Sequence, residues 1–120
     1  MNTNIKATGI ELTPAITAYA EKKVAMLEKF FEPGKLPTAQ IEVGKTTAHH
    51  KQGQVFRAEV HITGAGSDFY AACEHEDLYA AIDLVKDELA HEITHAQKKR
   101  LHMLRSGGRM MKNMMRRWWK

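Results

Sequence analysis

The stretch Phe56-Arg57-Ala58-Glu59-Val60-His61-Ile62 decides the fold. Apolar Phe56, Ala58, Val60 and Ile62 alternate with polar Arg57, Glu59 and His61. A period of two sends the first set to one side of a strand and the second set to the other. That pattern suits a sheet covered on one face and wet on the other. A matching strand precedes it, with Ala39, Ile41 and Val43 alternating with Gln40 and Glu42. Polar Thr46–Gln54, which contains Gly53, joins the two as a hairpin loop. On the other side Gly64-Ala65-Gly66-Ser67-Asp68 is a turn cluster leading into a short strand over Phe69–Cys73.

Further outward the period becomes helical. Leu78, Ile82, Val85, Leu89, Ile93 and Ala96 recur at spacings of three and four, with Glu76 and Asp77 before them and Lys98, Lys99 and Arg100 after them. Charges placed so complement a helix dipole, so part of that pattern needs no functional cause. Toward the N-terminus, Thr13-Pro14 is an N-cap followed by proline at the first helical position. Ile16, Ala20, Val24, Leu27 and Phe31 then form one helix face, which Pro33-Gly34 stops. Asn4–Thr8, with Ile5 and Ala7 set against Lys6 and Thr8, supplies a first strand. The order β-α-β-β-β-α predicts a two-layer α+β domain, with both helices on one face of a four-stranded sheet. Phe56, Val60, Ile82, Val85 and Leu89 are expected among its most buried side chains. Ser106-Gly107-Gly108 is expected to break the last helix, dividing the chain into a domain over 1–104 and a basic Met- and Trp-containing tail over 105–120 that is disordered when free.

Charge is distributed unevenly. Lys98, Lys99, Arg100, Arg105, Arg109, Lys112, Arg116, Arg117 and Lys120 are nine cations without an acid among them, whereas the first 97 residues carry nine cations against all 14 acids, a net of −5. An acidic body with a basic end suits nucleic acid or another acidic surface, or serves only solubility. In the tail, cations interleave with Trp118 and Trp119, so phosphates and unpaired bases are both suitable partners. A membrane-surface helix is the rival reading, ranked lower because twelve residues make a weak anchor. No apolar run approaches the ~18 residues of a membrane span. With one cysteine and no signal-peptide pattern, a soluble, intracellular, monomeric protein is expected.

Enzyme signals are few. His91-Glu92-Ile93-Thr94-His95 matches the H-E-x-x-H pattern, in which two histidines one turn apart share zinc and the glutamate acts as base. A zinc hydrolase also needs a third ligand, and no acid follows Glu92. His102 lacks the glycine turn that would bring it back across the site. Gly64-x-Gly66 lacks the remainder of a dinucleotide fingerprint. Cys73, which could approach His75, has no orienting third group, and His49-His50 has no partner at metal spacing. No catalytic residue, metal or cofactor is expected.

Two blocks carry a resemblance. One runs from Asn4-Ile5-Lys6 through Gly9-Ile10-Glu11-Leu12-Thr13-Pro14-Ala15-Ile16, Tyr19 and Glu21-Lys22-Lys23 to Leu27-Glu28-Lys29-Phe30-Phe31. The other is His75-Glu76-Asp77-Leu78-Tyr79-Ala80-Ala81-Ile82-Asp83. Together they resemble the ribosome hibernation promoting factor / ribosome-associated inhibitor family in its short form, over roughly residues 3–100, and the family fold has the same element order. The resemblance implies a non-enzymatic, ribosome-associated cytoplasmic inhibitor. It would occupy the mRNA and tRNA channel of the small ribosomal subunit, contact rRNA and preserve idle ribosomes under stress. Carried onto this chain, the implied rRNA contacts are Lys22, Lys23 and Lys29 on the first helix and Lys86, Lys98, Lys99 and Arg100 on the second. The tail cations Arg105, Arg109, Lys112, Arg116 and Arg117 join them from the charge pattern. Two departures stand out. Asp83, Asp87, Glu88 and Glu92 make the second helix less basic than such a surface should be, and the tail matches no family segment and is too short for the long form's dimerisation domain. A generic double-stranded RNA-binding module, which shares the helix-on-sheet plan, is the competing class.

Overall fold

Residues that alternate in the sequence alternate across a sheet in the computed structural model, which describes residues 1–46 and 53–118. The strands are β1 (Asn2–Thr8), β2 (Thr38–Lys45), β3 (Phe56–Gly64) and β4 (Ser67–His75), side by side in the order β1-β2-β3-β4. β1 runs parallel to β2, while the β2–β3 and β3–β4 pairs are antiparallel. The register carries apolar rows across the sheet: Ile5, Ile41, Val60 and Ala71 are successive partners, as are Ala7, Val43, Ala58 and Cys73. Shifting any strand by one residue would turn its half of a row into water, and this penalty fixes the register. β4 begins two residues before the expected Phe69. The β3–β4 turn therefore has only Ala65 and Gly66 between the paired Gly64 and Ser67, with φ of +52° and +77°. Two positive φ values in succession are the signature of the hairpin turn whose twist matches the strands.

Parallel strands need a crossover, and α1 (Pro14–Ala25) supplies it between β1 and β2. Thr13 caps it, its hydroxyl accepting the Ile16 N–H at 3.2 Å. From Met26 to Phe30 the chain tightens into a 3-10 turn, so the face expected as one helix to Phe31 is delivered in two pieces. Tightening lets the last carbonyls find donors, with Phe31 N–H reaching Glu28 O at 3.0 Å, while Leu27 stays buried.

The second helix, α2, spans Leu78–Trp118. Leu78, Ala81, Ile82, Val85, Leu89 and Ile93 are buried in one core, where α2 lies over β3 and β4. Val60, Ile82, Val85 and Leu89 are buried as expected, but Phe56 is only half-buried. It is the first residue of β3 and packs against the margin of the core instead of its centre. The expected break at Ser106-Gly107-Gly108 is absent: α2 runs through it to Trp118, so the stretch expected to be disordered is helix that far. Each glycine costs only about 1 kcal/mol against alanine, and no proline enforces a stop. The packed first half of α2 has already met the cost of nucleation, so extension continues from a formed template. Beyond Ile93, no described residue of α2 is buried up to Ser106. Among the described residues no helix is long and apolar enough to cross a membrane.

Candidate nucleic-acid interface on the helical layer

The outward side of α1 and its 3-10 turn presents Ala18, Lys22, Ala25 and Lys29, all exposed as their spacing predicts. Lys22 and Lys29 have no carboxylate partner among the described residues, and the Lys29 ammonium sits 5.3 Å from the centroid of the Phe30 ring. Lys98, Lys99, Arg100 and Arg105 are exposed on α2 beyond its last buried residue. The Gln97 amide donates to the Phe30 carbonyl at 2.7 Å, tying α2 to the end of the 3-10 turn. Because Lys29 adjoins Phe30 and Lys98 adjoins Gln97 in the chain, this bond brings the Lys29 and Lys98–Arg100 backbones to one end of the helical layer.

Lys23 and Lys86 do not join that set. The Lys23 side chain is only 26% exposed, and its ammonium lies 3.4 Å from Asp83 Oδ1 and 5.5 Å from the Tyr19 ring centroid. The Tyr19 hydroxyl donates to the same Asp83 oxygen at 2.7 Å, and the Tyr19 and Tyr79 rings meet edge-on with centroids 4.9 Å apart. That hydroxyl bond, together with Lys23, holds the Asp83 carboxyl below the usual carboxylate range, and the same contact pushes the Tyr19 phenol up. Lys23 is thus a tie between α1 and α2. Lys86, 17% exposed, is paired with Asp87. Sequence reasoning grouped Lys23 with the free lysines because the acid that engages it lies on another element, and kept Lys86 although Asp87 adjoins it. The available signal was the run of acids on the second helix, Asp83 and Asp87 among them. Arg109, Lys112, Arg116 and Arg117 lie on the helical backbone of α2, and their side chains fall outside the described part, as do Lys120 and the His49-His50 loop.

On the opposite, uncovered face of the sheet the cations Lys6 and Arg57 sit beside acids. Lys6 meets Glu42 at 3.7 Å, Arg57 meets Glu59 at 3.6 Å, and His61 meets Asp68 at 2.7 Å. Arg57 also donates to the Tyr70 hydroxyl at 3.3 Å. An anionic polymer finds little net attraction there, whereas the helical layer, though it also carries Glu21, Asp87 and Glu88, offers cations with no carboxylate partner among the described residues.

His91 and His95 stack one turn apart on exposed α2 surface, ring centroids 6.2 Å apart. Among the described residues no third His, Cys, Asp or Glu joins them in a metal-holding group. Cys73 does not face His75: its thiol donates to Glu88 Oε2 at 3.1 Å, while His75 Nδ1 accepts the Asp77 N–H. Burial, then the Glu88 carboxylate, pushes the thiol up to about 11. A thiol so protonated at neutral pH is a poor nucleophile. Gly64 closes β3 and Gly66 lies in the turn to β4, so a strand and not a helix follows them.

Comparison with known proteins adds a family. The family model described as sigma 54 modulation protein / S30EA ribosomal protein matches residues 3–101. The ribosome hibernation promoting factor of Klebsiella oxytoca is 33% identical over 103 residues, covering 85% of this chain and 100% of that relative. The factor of the same name from Azotobacter vinelandii is 32% identical over 101 residues, covering 84% of this chain and 87% of that relative. The crystal structure of the Thermus thermophilus Protein Y N-terminal domain superposes with a TM-score of 0.66 at 29% identity, covering 79% of this chain and 98% of that one. The family match stops at residue 101, so nearly all of the α2 extension lies outside it.

Proposed function

The chain belongs to the S30EA ribosomal protein family, and on that premise we propose that it is a ribosome hibernation factor that binds the small ribosomal subunit through rRNA. In this reading the domain occupies the channel for messenger RNA and transfer RNA, excludes translation ligands and preserves idle ribosomes, acting by occupancy and not by catalysis. The observation that carries it is the segregation of charge: Lys22, Lys29, Lys98, Lys99 and Arg100 are exposed and have no carboxylate partner among the described residues, while Lys6 and Arg57 on the sheet face are paired with Glu42 and Glu59. Unpaired cations neutralise phosphates and release counterions, and cations already paired contribute less. Lys22, Lys29, Lys98, Lys99 and Arg100 are therefore the domain's contacts, with Lys23 and Lys86 holding the surface in shape. Arg105, Arg109, Lys112, Arg116 and Arg117 on the extension add affinity. The free protein is a cytoplasmic monomer that needs no cofactor.

Co-sedimentation with purified ribosomes on sucrose gradients across a salt series tests this. The double variant Lys22→Gln/Lys29→Gln should bind less tightly and inhibit translation less than wild type. A wild-type chain that binds free RNA duplexes as well as it binds ribosomes would instead identify a generic duplex binder.

A further inference from the structure

We propose that the groove between the end of the 3-10 turn, the β3–β4 hairpin and α2 is a subsite for one unstacked nucleobase of the RNA that the cations hold. The inference rests on the RNA-binding reading above and names a contact of a different kind within it.

The groove encloses about 590 Å³ and is walled by Phe30, Phe31, Phe69, Gly66, Gln97 and Arg100. All three phenylalanines are partly buried, each backed by the core and each keeping a minor part of its surface open. The Phe31 and Phe69 centroids are 6.4 Å apart, with planes inclined at 61°, so the two rings form an angled wall and leave surface uncovered. A Cβ built on Gly66 would meet no atom within 4 Å, so the hairpin side is open space beside bare backbone. The Gln97 bond to the Phe30 carbonyl closes the floor and fixes α2 against the rings.

The charges at the rim decide what enters. Glu32 lies 4.0 Å from Lys35 and Asp68 meets the His61 ring at 2.7 Å; both carboxylates are highly exposed, at 78% and 80%, so water screens them. Arg100 is exposed with no carboxylate partner among the described residues, and Lys29 lies over Phe30. An aromatic groove bordered by an uncommitted guanidinium suits a flat, apolar ligand attached to an anion. A nucleotide has that composition, its base against the rings and its phosphate toward Arg100. A base inside a duplex presents no free face, so the occupant is single-stranded or flipped out.

The test uses the full chain and purified ribosomes. Phe31→Leu keeps apolar bulk but removes the stacking surface, and it should weaken binding by roughly tenfold while leaving the salt dependence unchanged, because no cation is lost. Arg100→Gln should lower the salt slope by about 0.7. Ultraviolet cross-linking of the wild-type complex, read by mass spectrometry, should place RNA adducts on Phe30, Phe31 or Phe69; it decides the matter should Phe31→Leu fail to fold. Wild-type affinity in a folded Phe31→Leu variant, or adducts only elsewhere, would overturn the subsite. If Lys22→Gln/Lys29→Gln still lost binding in the same assay, the ribosome-binding reading would stand without it. A wild-type chain that bound no ribosomes would remove both.

Discussion

Removing Arg105–Lys120 separates what the domain does from what its extension adds. The truncation deletes no residue of the buried core cluster, so the remaining domain should fold with its sheet and both packed helical segments intact. It removes six cations, Arg105, Arg109, Lys112, Arg116, Arg117 and Lys120, and no acid. If each neutralises one phosphate, the slope of log affinity against log salt falls by about 4, at roughly 0.7 per single-strand contact. Between 50 and 200 mM salt, about 0.6 of a decade, wild type should then lose roughly 300-fold more affinity than the truncated chain. The measurement is ribosome binding by sedimentation at four or more salt concentrations, with thermal melts to verify folding. The two chains should also converge in affinity at high salt, where the extension's contribution is screened away. Equal slopes in two folded proteins would refute the reasoning, leaving the extension passive and all phosphate contacts on the domain.

Other consequences are more local. Leu89 is fully buried in the packed first part of α2, and Leu89→Ala should cost about 2–5 kcal/mol in urea unfolding through lost burial and a cavity; less than 1 kcal/mol would place the core elsewhere. Asp83 is held below the usual carboxylate range, so its ionised form stabilises the folded chain at neutral pH, and that contribution drains away as pH falls below about 4. Asp83→Asn should flatten the acid limb of a melting-temperature profile, and an unaltered limb would show that the tie carries no stability. Cys73, pushed up to about 11, should react with iodoacetamide at pH 7.5 far more slowly than free cysteine, and Glu88→Gln should speed it.

How much of this was legible in the chain depended on range. Alternation in Ile41–Val43 and Phe56–Ile62, and the three-and-four spacing from Leu78 to Ile93, identified the sheet's inner face and the helix's buried stripe because those signals are local. The block His75–Asp83 pointed to the family before any coordinates. The role of Lys23 was not legible: it depends on an α2 carboxylate, and the Tyr19 hydroxyl that shares this oxygen lies 64 positions from it. The pairing of Lys86 was no more legible, since an adjacent Asp87 can be paired or solvated depending on local packing. Gly107-Gly108 suggested a stop because glycine has low helix propensity. Propensity is a weak prior, and a template of formed turns outweighed it. The phenylalanine groove had no linear signature, because Phe30-Phe31, Phe69 and Arg100 come from three elements.

Continuing α2 through the glycines also changes how the protein moves through solution. A 120-residue chain folded into a ball has a radius of gyration of about 14 Å by the usual scaling, whereas this one reaches 19.4 Å, with extents of 70 × 36 × 16 Å. Friction follows length more than mass, so a 13.6 kDa monomer of this shape elutes from a sizing column ahead of globular standards of its own weight and resembles a dimer. Light scattering, which weighs the particle, separates the two. Small-angle X-ray scattering should show the radius falling toward the globular value when the chain is cut at residue 104.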